Sequence, residues 1–373
     1  MAKLKLGFPA FRCVPTVLSG QGALKRLAEL DVSHTLFFLS GQSQVHELLF
    51  ESIASDATPK IITKPSGEPT IEGIRAALEQ YQSTAPTTVV VMGGGSTLDW
   101  ARLVVLAGCK ETEYAQRPEP TPSMRPRLLL IPTTPATGAE AGTVAVYQDE
   151  QGIKKAIVDN DLLADEVILD ERVIEQCDAA MISLWLADAL SHNIEALQSI
   201  VAFPMAEQAA KTSLNLILEN DPTTHDCNRS RLMEAGYLAG TAAAHCSVGI
   251  AHAFAHAIAS DGFSHSFGNA IALDASIQTN APKGRLEAAL SSMRLDFDSF
   301  RATVEAITRY GASAQASELQ RILAYLEGMP DGSIAAAMRS DVSSRSNPVR
   351  VSTEVAEDFI QQVTTRVRTW LTS

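Results

Sequence analysis

Four of the chain's eight histidines, His245, His252, His256 and His265, fall within 21 residues of an otherwise apolar, Ala-rich segment. His252 and His256 stand four apart, which puts both on one face of a helix. Upstream, the segment DALSH repeats that spacing with Asp188 and His192. Carrying several ionisable rings into a helical core costs several kcal/mol unless each finds a partner. A single cation partners them all, and one carboxylate with three imidazoles suits a divalent transition metal that keeps an open position for a substrate oxygen. Iron and zinc fit such a set equally well. His225 and His245 lie near Cys227 and Cys246, but their spacing matches no closed zinc site.

A second kind of chemistry is written in glycines. Gly93, Gly94 and Gly95 directly follow an apolar, β-prone run ending at Met92. Without Cβ atoms the backbone can approach a phosphate, and a helix starting there turns its amides toward the anion. Ser96 and Asp99 stand at near capping-box spacing. The turn Pro132 to Glu140 (PTTPATGAE) follows another apolar run and is built alike, with Thr137 and Glu140 at capping-box spacing and hydroxyls at Thr133, Thr134 and Thr137 to contact a nucleotide. Neither turn is the G-x-G-x-x-G fingerprint.

These groups need a scaffold. TLFFL (35–39), KIIT (60–63), TVVVM (88–92) and LLLIP (128–132) read as buried parallel strands. Between them, residues 70–82 carry Ile71, Ile74, Ala77 and Leu78 at helical spacing. The alternation predicts an open α/β sheet, which binds ligands at the carboxyl ends of its strands. Beyond about residue 170 long Ala- and Leu-rich segments take over, and helices are expected over 181–200, 205–219, 231–245, 249–260, 286–310 and 355–370. The expected organisation is therefore an α/β domain over 1–170 and an all-helical domain over 171–373.

Composition narrows the function. A net charge of −13 in 373 residues argues against nucleic acid as a partner. With 46% apolar and 20% charged residues the chain is of the folding, core-forming kind. Five scattered cysteines do not form a disulfide framework, which points to a reducing cytoplasm. No export signal and no uninterrupted apolar run of membrane-spanning length is read, so no membrane partner is expected.

In order and approximate spacing, GGGSTLDWAR, PTTPATGAE, DALSHNIE, GIAHAFAHAIA, SHSFGNAIAL and SNPVR resemble the iron-containing (group III) alcohol dehydrogenase family. The resemblance covers most of the chain. It implies a dinucleotide-binding α/β domain followed by a helical metal-binding domain. Gly93, Gly94, Gly95 and Ser96 would hold the pyrophosphate of NAD or NADP, with Asp99 beside the cofactor, Thr133, Thr134 and Thr137 lining its remainder, and Lys155 touching it. Asp188, His192, His252 and His265 would bind one divalent metal, Fe2+ or alternatively Zn2+. His256 would pass a proton to or from solvent.

The implied reaction is reversible hydride transfer between a primary alcohol and its aldehyde, with the metal as Lewis acid. A homodimer or larger homo-oligomer is implied too. Within the family, oxidation of the terminal hydroxyl of the eight-carbon sugar acid Kdo and reduction of maleylacetate or phosphonoacetaldehyde are alternatives. Outside it stand a lyase like dehydroquinate synthase and a non-catalytic nucleotide- and metal-binding module. Ser40-Gly41 follows TLFFL where many family members carry an Asp for the adenosine ribose, so the sequence leaves NAD and NADP both open.

Overall fold

The computed structural model describes residues 10–54, 57–112, 114, 125–224, 227–259, 261–328 and 332–372, so His225 lies outside the described residues. The chain forms two compact units, Arg12–Gln176 and Cys177–Ser373.

The first unit contains strands β1 (Thr16–Ser19), β2 (Thr35–Leu39), β3 (Lys60–Thr63), β4 (Thr88–Gly93), β5 (Arg127–Pro132), β6 (Val144–Gln148), β7 (Lys154–Val158) and β8 (Glu166–Leu169), with helices α1 (Ser43–Ser52), α2 (Ile71–Thr84) and α3 (Gly95–Cys109). Six strands make one parallel sheet in the order β1-β8-β5-β4-β2-β3, and β6 pairs with β7 as a separate antiparallel hairpin. Val89 to Met92 and Leu128 to Ile131 are fully buried. Helices covering both faces of a parallel sheet demand such continuous apolar runs, and each buried side chain of this size contributes about 1.5–3 kcal/mol.

From β2 the chain moves outward to β3, then crosses back to lay β4 on the other side of β2. The β2/β4 boundary is thus the topological switch point, outside which open α/β sheets bind their ligands. The glycine run sits at the end of β4. Beside it, the Ser40 N–H donates to Met92 O at 3.1 Å.

Both capping boxes expected from spacing are absent. Helix α3 starts one residue before Ser96, with Gly94 at its N-cap and no side-chain cap. The short 3-10 turn Ala139–Ala141 is entered through Gly138, whose φ of 58° suits glycine. The backbone reaches each helix start before the candidate hydroxyl does: Ser96 Oγ turns to Gly67 O instead, and Thr137 Oγ1 accepts from the nearer Ala139 N–H at 3.3 Å.

Among its described residues the second unit contains only helices: α4 (Ala179–Gln198), α5 (Pro204–Glu219), α6 (Arg229–Cys246), α7 (Ile250–Ala259), α8 (His265–Asn280), α9 (Arg285–Ser292), α10 (Phe297–Ser313), α11 (Ala316–Gly328), α12 (Ser333–Ser340) and α13 (Thr353–Thr372), with short 3-10 turns. The single helix expected over 286–310 is two, α9 and α10. Arg294 adopts a φ of 62° between them and the Asp296 side chain caps α10 by accepting from the Ser299 N–H. Among the described residues no single helix is long and apolar enough to cross a membrane; α6 and α7 reach that length only together, bent by 100°.

Two close helix crossings place the histidine-bearing helices. A Cβ on Gly311 would lie 2.5 Å from the Leu184 backbone nitrogen, so α10 meets α4 backbone to backbone. A Cβ on Gly268 would lie 2.9 Å from Ala255 Cβ, so α7 and α8 approach as near as the missing side chain permits.

Candidate metal centre and nucleotide-binding turns

Helix α4 projects Asp188 and His192 from one face, α7 contributes His252 and His256, and α8 opens with His265. Asp188 is completely buried, and three imidazole nitrogens converge on its Oδ1: His252 Nε2 at 3.4 Å, His265 Nε2 at 3.5 Å and His192 Nε2 at 3.8 Å. Asp188, His192 and His252 form the tightest group, each offering a ligand atom within 4.8 Å of the others. The rings of His192 and His252 are stacked with centroids 4.6 Å apart, and those of His252 and His265 are tilted at 5.1 Å.

The protein alone does not satisfy this cluster. Asp188 Oδ2 and His192 Nδ1 are buried without hydrogen-bond partners, and an unmatched interior oxygen of this kind costs about 1–3 kcal/mol or more. Burial would push the Asp188 carboxyl up, but His265, His192 and the hydrogen-bonding His252 hold it well below the usual carboxylate range. Burial pushes His192 down to about 4. For His252 burial acts the same way, but the carboxylates of Glu195 and Asp188 outweigh it and raise the ring to about 9. A lone carboxylate oxygen facing converging Nε2 atoms is the donor set that a divalent cation fits.

Three residues to which sequence reasoning assigned no role complete the surroundings. The Glu195 Oε2 accepts from His252 Nδ1 at 2.5 Å and from the Gly249 N–H at 2.8 Å, while its Oε1 accepts from the Ala251 N–H at 2.7 Å. Asn269, fully buried, donates from Nδ2 to Asp188 Oδ1 at 2.8 Å. Asp341 accepts from His256 Nδ1 at 3.0 Å. Burial opposes ionisation of Asp341, yet the His256 contact keeps its carboxyl below the ordinary value. The one available signal was helical spacing: Glu195 follows Asp188 by seven residues and His192 by three, and Asn269 follows His265 by four, each on its partner's face. His256 is the outermost of the cluster, about a third exposed, and stacks on His265 at 5.1 Å.

The joint between α6 and α7 is also held by side chains from afar. Ser247 adopts φ 61° and ψ −176°, a region that residues with a Cβ rarely enter. Ser199 Oγ donates to Cys246 O at 2.6 Å, Ser346 Oγ donates to Val248 O at 2.6 Å, and Asn347 Oδ1 accepts from the Ile250 N–H at 3.3 Å. His245 sits in the same stretch but turns its Nδ1–H to Thr241 O, away from any cysteine pairing; all five cysteines are free.

In the parallel-sheet unit the structure brings the two predicted turns together, since they end neighbouring strands. The Thr133 N–H donates to Gly93 O at 3.1 Å. A Cβ on Gly95 would lie 2.4 Å from Thr137 Oγ1, and one on Gly93 would lie 2.6 Å from Thr97 Cβ. At Gly94 a Cβ would meet nothing nearer than Thr134 at 3.8 Å, which leaves there the space a pyrophosphate would use, at the start of a 15-residue helix.

Other candidates of this unit are engaged with the protein. Ser96 Oγ donates to Gly67 O at 2.9 Å. The Asp99 carboxylate accepts from Arg102 at 2.5 Å and from the Val146 N–H at 2.9 Å, tying α3 to β6. Lys155 lies on β7, half-exposed and 3.6 Å from Asp149. Glu140 is buried, and burial pushes its carboxyl up to about 7.

Comparison with known proteins gives concordant matches. Residues 15–171 match the family model described as iron-containing alcohol dehydrogenase, and residues 186–362 match that of the C-terminal domain of the Fe-containing alcohol dehydrogenase family. The probable alcohol dehydrogenase EutG of Salmonella typhimurium is 32% identical over 264 residues, 66% of either chain. The 1-propanol dehydrogenase PduQ of Citrobacter freundii is 29% identical, again over 66% of each. These alignments thus span about two thirds of the relatives' length. Among solved structures, sulfoacetaldehyde reductase from Bifidobacterium kashiwanohense, in complex with NAD+, is similar with a TM-score of 0.80 at 19% identity, covering 96% of this chain and 99% of that one. The iron-containing alcohol dehydrogenase of Thermococcus thioreducens gives 0.78 at 22% identity, covering 95% and 100%. At such identities these structures share the fold.

Proposed function

Because this chain belongs to the iron-containing alcohol dehydrogenase family, we propose that it is a metal-dependent, nicotinamide-linked oxidoreductase that interconverts a primary alcohol and its aldehyde. The observation that carries the reading is the convergence of three Nε2 atoms on the buried Asp188 Oδ1. Asp188, His192, His252 and His265 are the proposed metal ligands, with Fe2+ as the ion and Zn2+ as one the same donors accept. When bound, the metal supplies Lewis acidity toward the alcohol or carbonyl oxygen, and the nicotinamide accepts or returns hydride.

The chain's own residues do the rest. Gly94 leaves the backbone open for the pyrophosphate, while Gly93 and Gly95 let Thr97 and Thr137 pack tightly beside it, with Thr133 and Thr134 completing the turn. Asp99 acts one step removed, fixing Arg102 and the hairpin. His256, held through Nδ1 by Asp341 and the most exposed of the cluster, keeps its Nε2 for moving a proton between substrate and solvent. The end of β2 offers Ser40-Gly41 and no carboxylate, so nothing there repels a 2′-phosphate, and NADP is accepted beside NAD.

The test uses the full chain stripped of metal by a chelator and resupplied with Fe2+ or Zn2+. Oxidation of the reduced cofactor, NADH or NADPH, is followed by absorbance with a panel of aldehydes. Turnover that appears only on metal addition supports the reading; metal binding and cofactor binding without turnover on any aldehyde or alcohol would favour a non-catalytic module.

A further inference from the structure

Glu195 belongs to none of the proposed ligand, cofactor or proton-transfer groups, yet it is a completely buried carboxylate side chain. Three N–H groups point at it: the Gly249 amide and His252 Nδ1 reach Oε2, and the Ala251 amide reaches Oε1. A carboxylate only accepts, so the proton on the His252 ring must reside on Nδ1 where the two meet. That leaves Nε2, the nitrogen 3.4 Å from Asp188 Oδ1, as the one that would give up its proton and turn its lone pair to a cation. The same carboxylate caps the first turn of α7, and Gly249 is what admits it, since a Cβ there would lie 2.9 Å from Glu195 Oε1. Glu195 therefore sets both where His252 stands and which of its nitrogens is free.

We propose that Glu195 is a positioning residue for the metal centre, which fixes His252 in the tautomer that binds the cation. The proposal rests on the reading of Asp188, His192, His252 and His265 as ligands. Its logic is the outer-sphere carboxylate that orients a ligating imidazole, whose removal weakens metal binding about 10- to 100-fold.

Glu195→Gln keeps the side-chain shape but exchanges one acceptor for a donor. With the amide NH2 at the Oε2 position, His252 must yield its Nδ1 proton and carry one on Nε2, facing the cation. With the amide reversed, the Ala251 N–H is left facing a donor. Zinc affinity is measured on the full chain by competition with a chromophoric chelator, alongside the melting temperature of the metal-free protein. The expected result is a 10- to 100-fold loss of zinc affinity in E195Q. The control is Asn347→Ala, which removes the acceptor of the neighbouring Ile250 N–H without touching His252; it should lower the melting temperature and leave zinc affinity within about threefold of the parent.

Zinc affinity unchanged in E195Q overturns the proposal, as does an equal loss in N347A, which would mean that the helix joint rather than the ring is at stake. If E195Q does not fold, Glu195→Asp, too short by one methylene to reach His252 Nδ1, is judged by the same zinc criterion. A parent chain that binds no zinc would instead sink the ligand assignment, so the two failures are told apart.

Discussion

In the helical unit the candidate binding atoms are imidazole nitrogens and a carboxylate oxygen, steadied by residues from other helices: His252 by Glu195, Asp188 by Asn269 and His256 by Asp341. In the parallel-sheet unit they are backbone groups laid bare at Gly94, with Thr97 and Thr137 packed where Cβ atoms on Gly93 and Gly95 would stand. One site is made by groups that are present and oriented, the other by groups that are missing. The difference sets what each tolerates. The first is damaged by removing atoms, because each group supplies a specific lone pair; the second is damaged by adding them, because its specificity is empty volume beside amides.

The sharpest way to break this contrast is His252→Ala. Activity should fall by about 10³-fold or more, the loss of several kcal/mol of Lewis-acid stabilisation, together with the metal content measured on the purified protein. Retained metal would remove His252 from the ligand set. Next in size is a pH effect in the sheet unit. Glu140 has a folded value near 7, raised from 4.5 by burial, so the fold favours its protonated form, and the stability this gives is lost as pH rises from about 4.5 through 7. Glu140→Gln mimics that form. Its melting temperature should match the parent at about pH 4, below both values, and exceed it at about pH 8, by up to roughly 3 kcal/mol of stability.

His256→Ala should keep the metal and slow turnover about 10²-fold, as loss of a proton-transfer group does; metal loss in that variant would move His256 into the ligand set. In the other unit, Gly95→Ala drives a Cβ into Thr137 and should cost about 1–3 kcal/mol of stability. It should weaken NAD binding about tenfold by calorimetric titration, with metal content untouched. The mildest change is Ser40→Asp, which restores a carboxylate at the end of β2. KM for NADP should rise several-fold while that for NAD holds or falls, sharpening the idea that this unit selects by what it lacks.

The sequence made the repeating parts legible and the long-range ones obscure. β2, β3, β4 and β5 stood out as apolar runs because helices cover both faces of the sheet. β1 is largely exposed, β8 opens on Glu166, and β6 and β7 form a half-exposed hairpin, so none was read as such a run. Histidine spacing pointed to the side-chain cluster around Asp188 because Asp188 with His192, and His252 with His256, each share one helix. Glu195 meets His252 across 57 residues and Asp341 meets His256 across 85; no local period encodes such distances. The capping boxes failed for the opposite reason: Ser96 and Thr137 satisfy a local pattern, but glycine takes the N-cap at 94 and 138, so Ser96 Oγ turns to Gly67 O and Thr137 Oγ1 reaches the Ala139 N–H in place of the amide three residues on.

The left-handed Ser247 has a temporal consequence. Its conformation is unfavourable by order 1–3 kcal/mol and persists because Ser199, Glu195, Ser346 and Asn347 clasp the residues around it. Two of those clasps come from residues 346 and 347, synthesised about a hundred positions after the joint they close. A nascent chain halted before them would carry every proposed ligand yet lack two of the side chains that clasp the joint, so the turn at Ser247 should close only after residues 346 and 347 have been made.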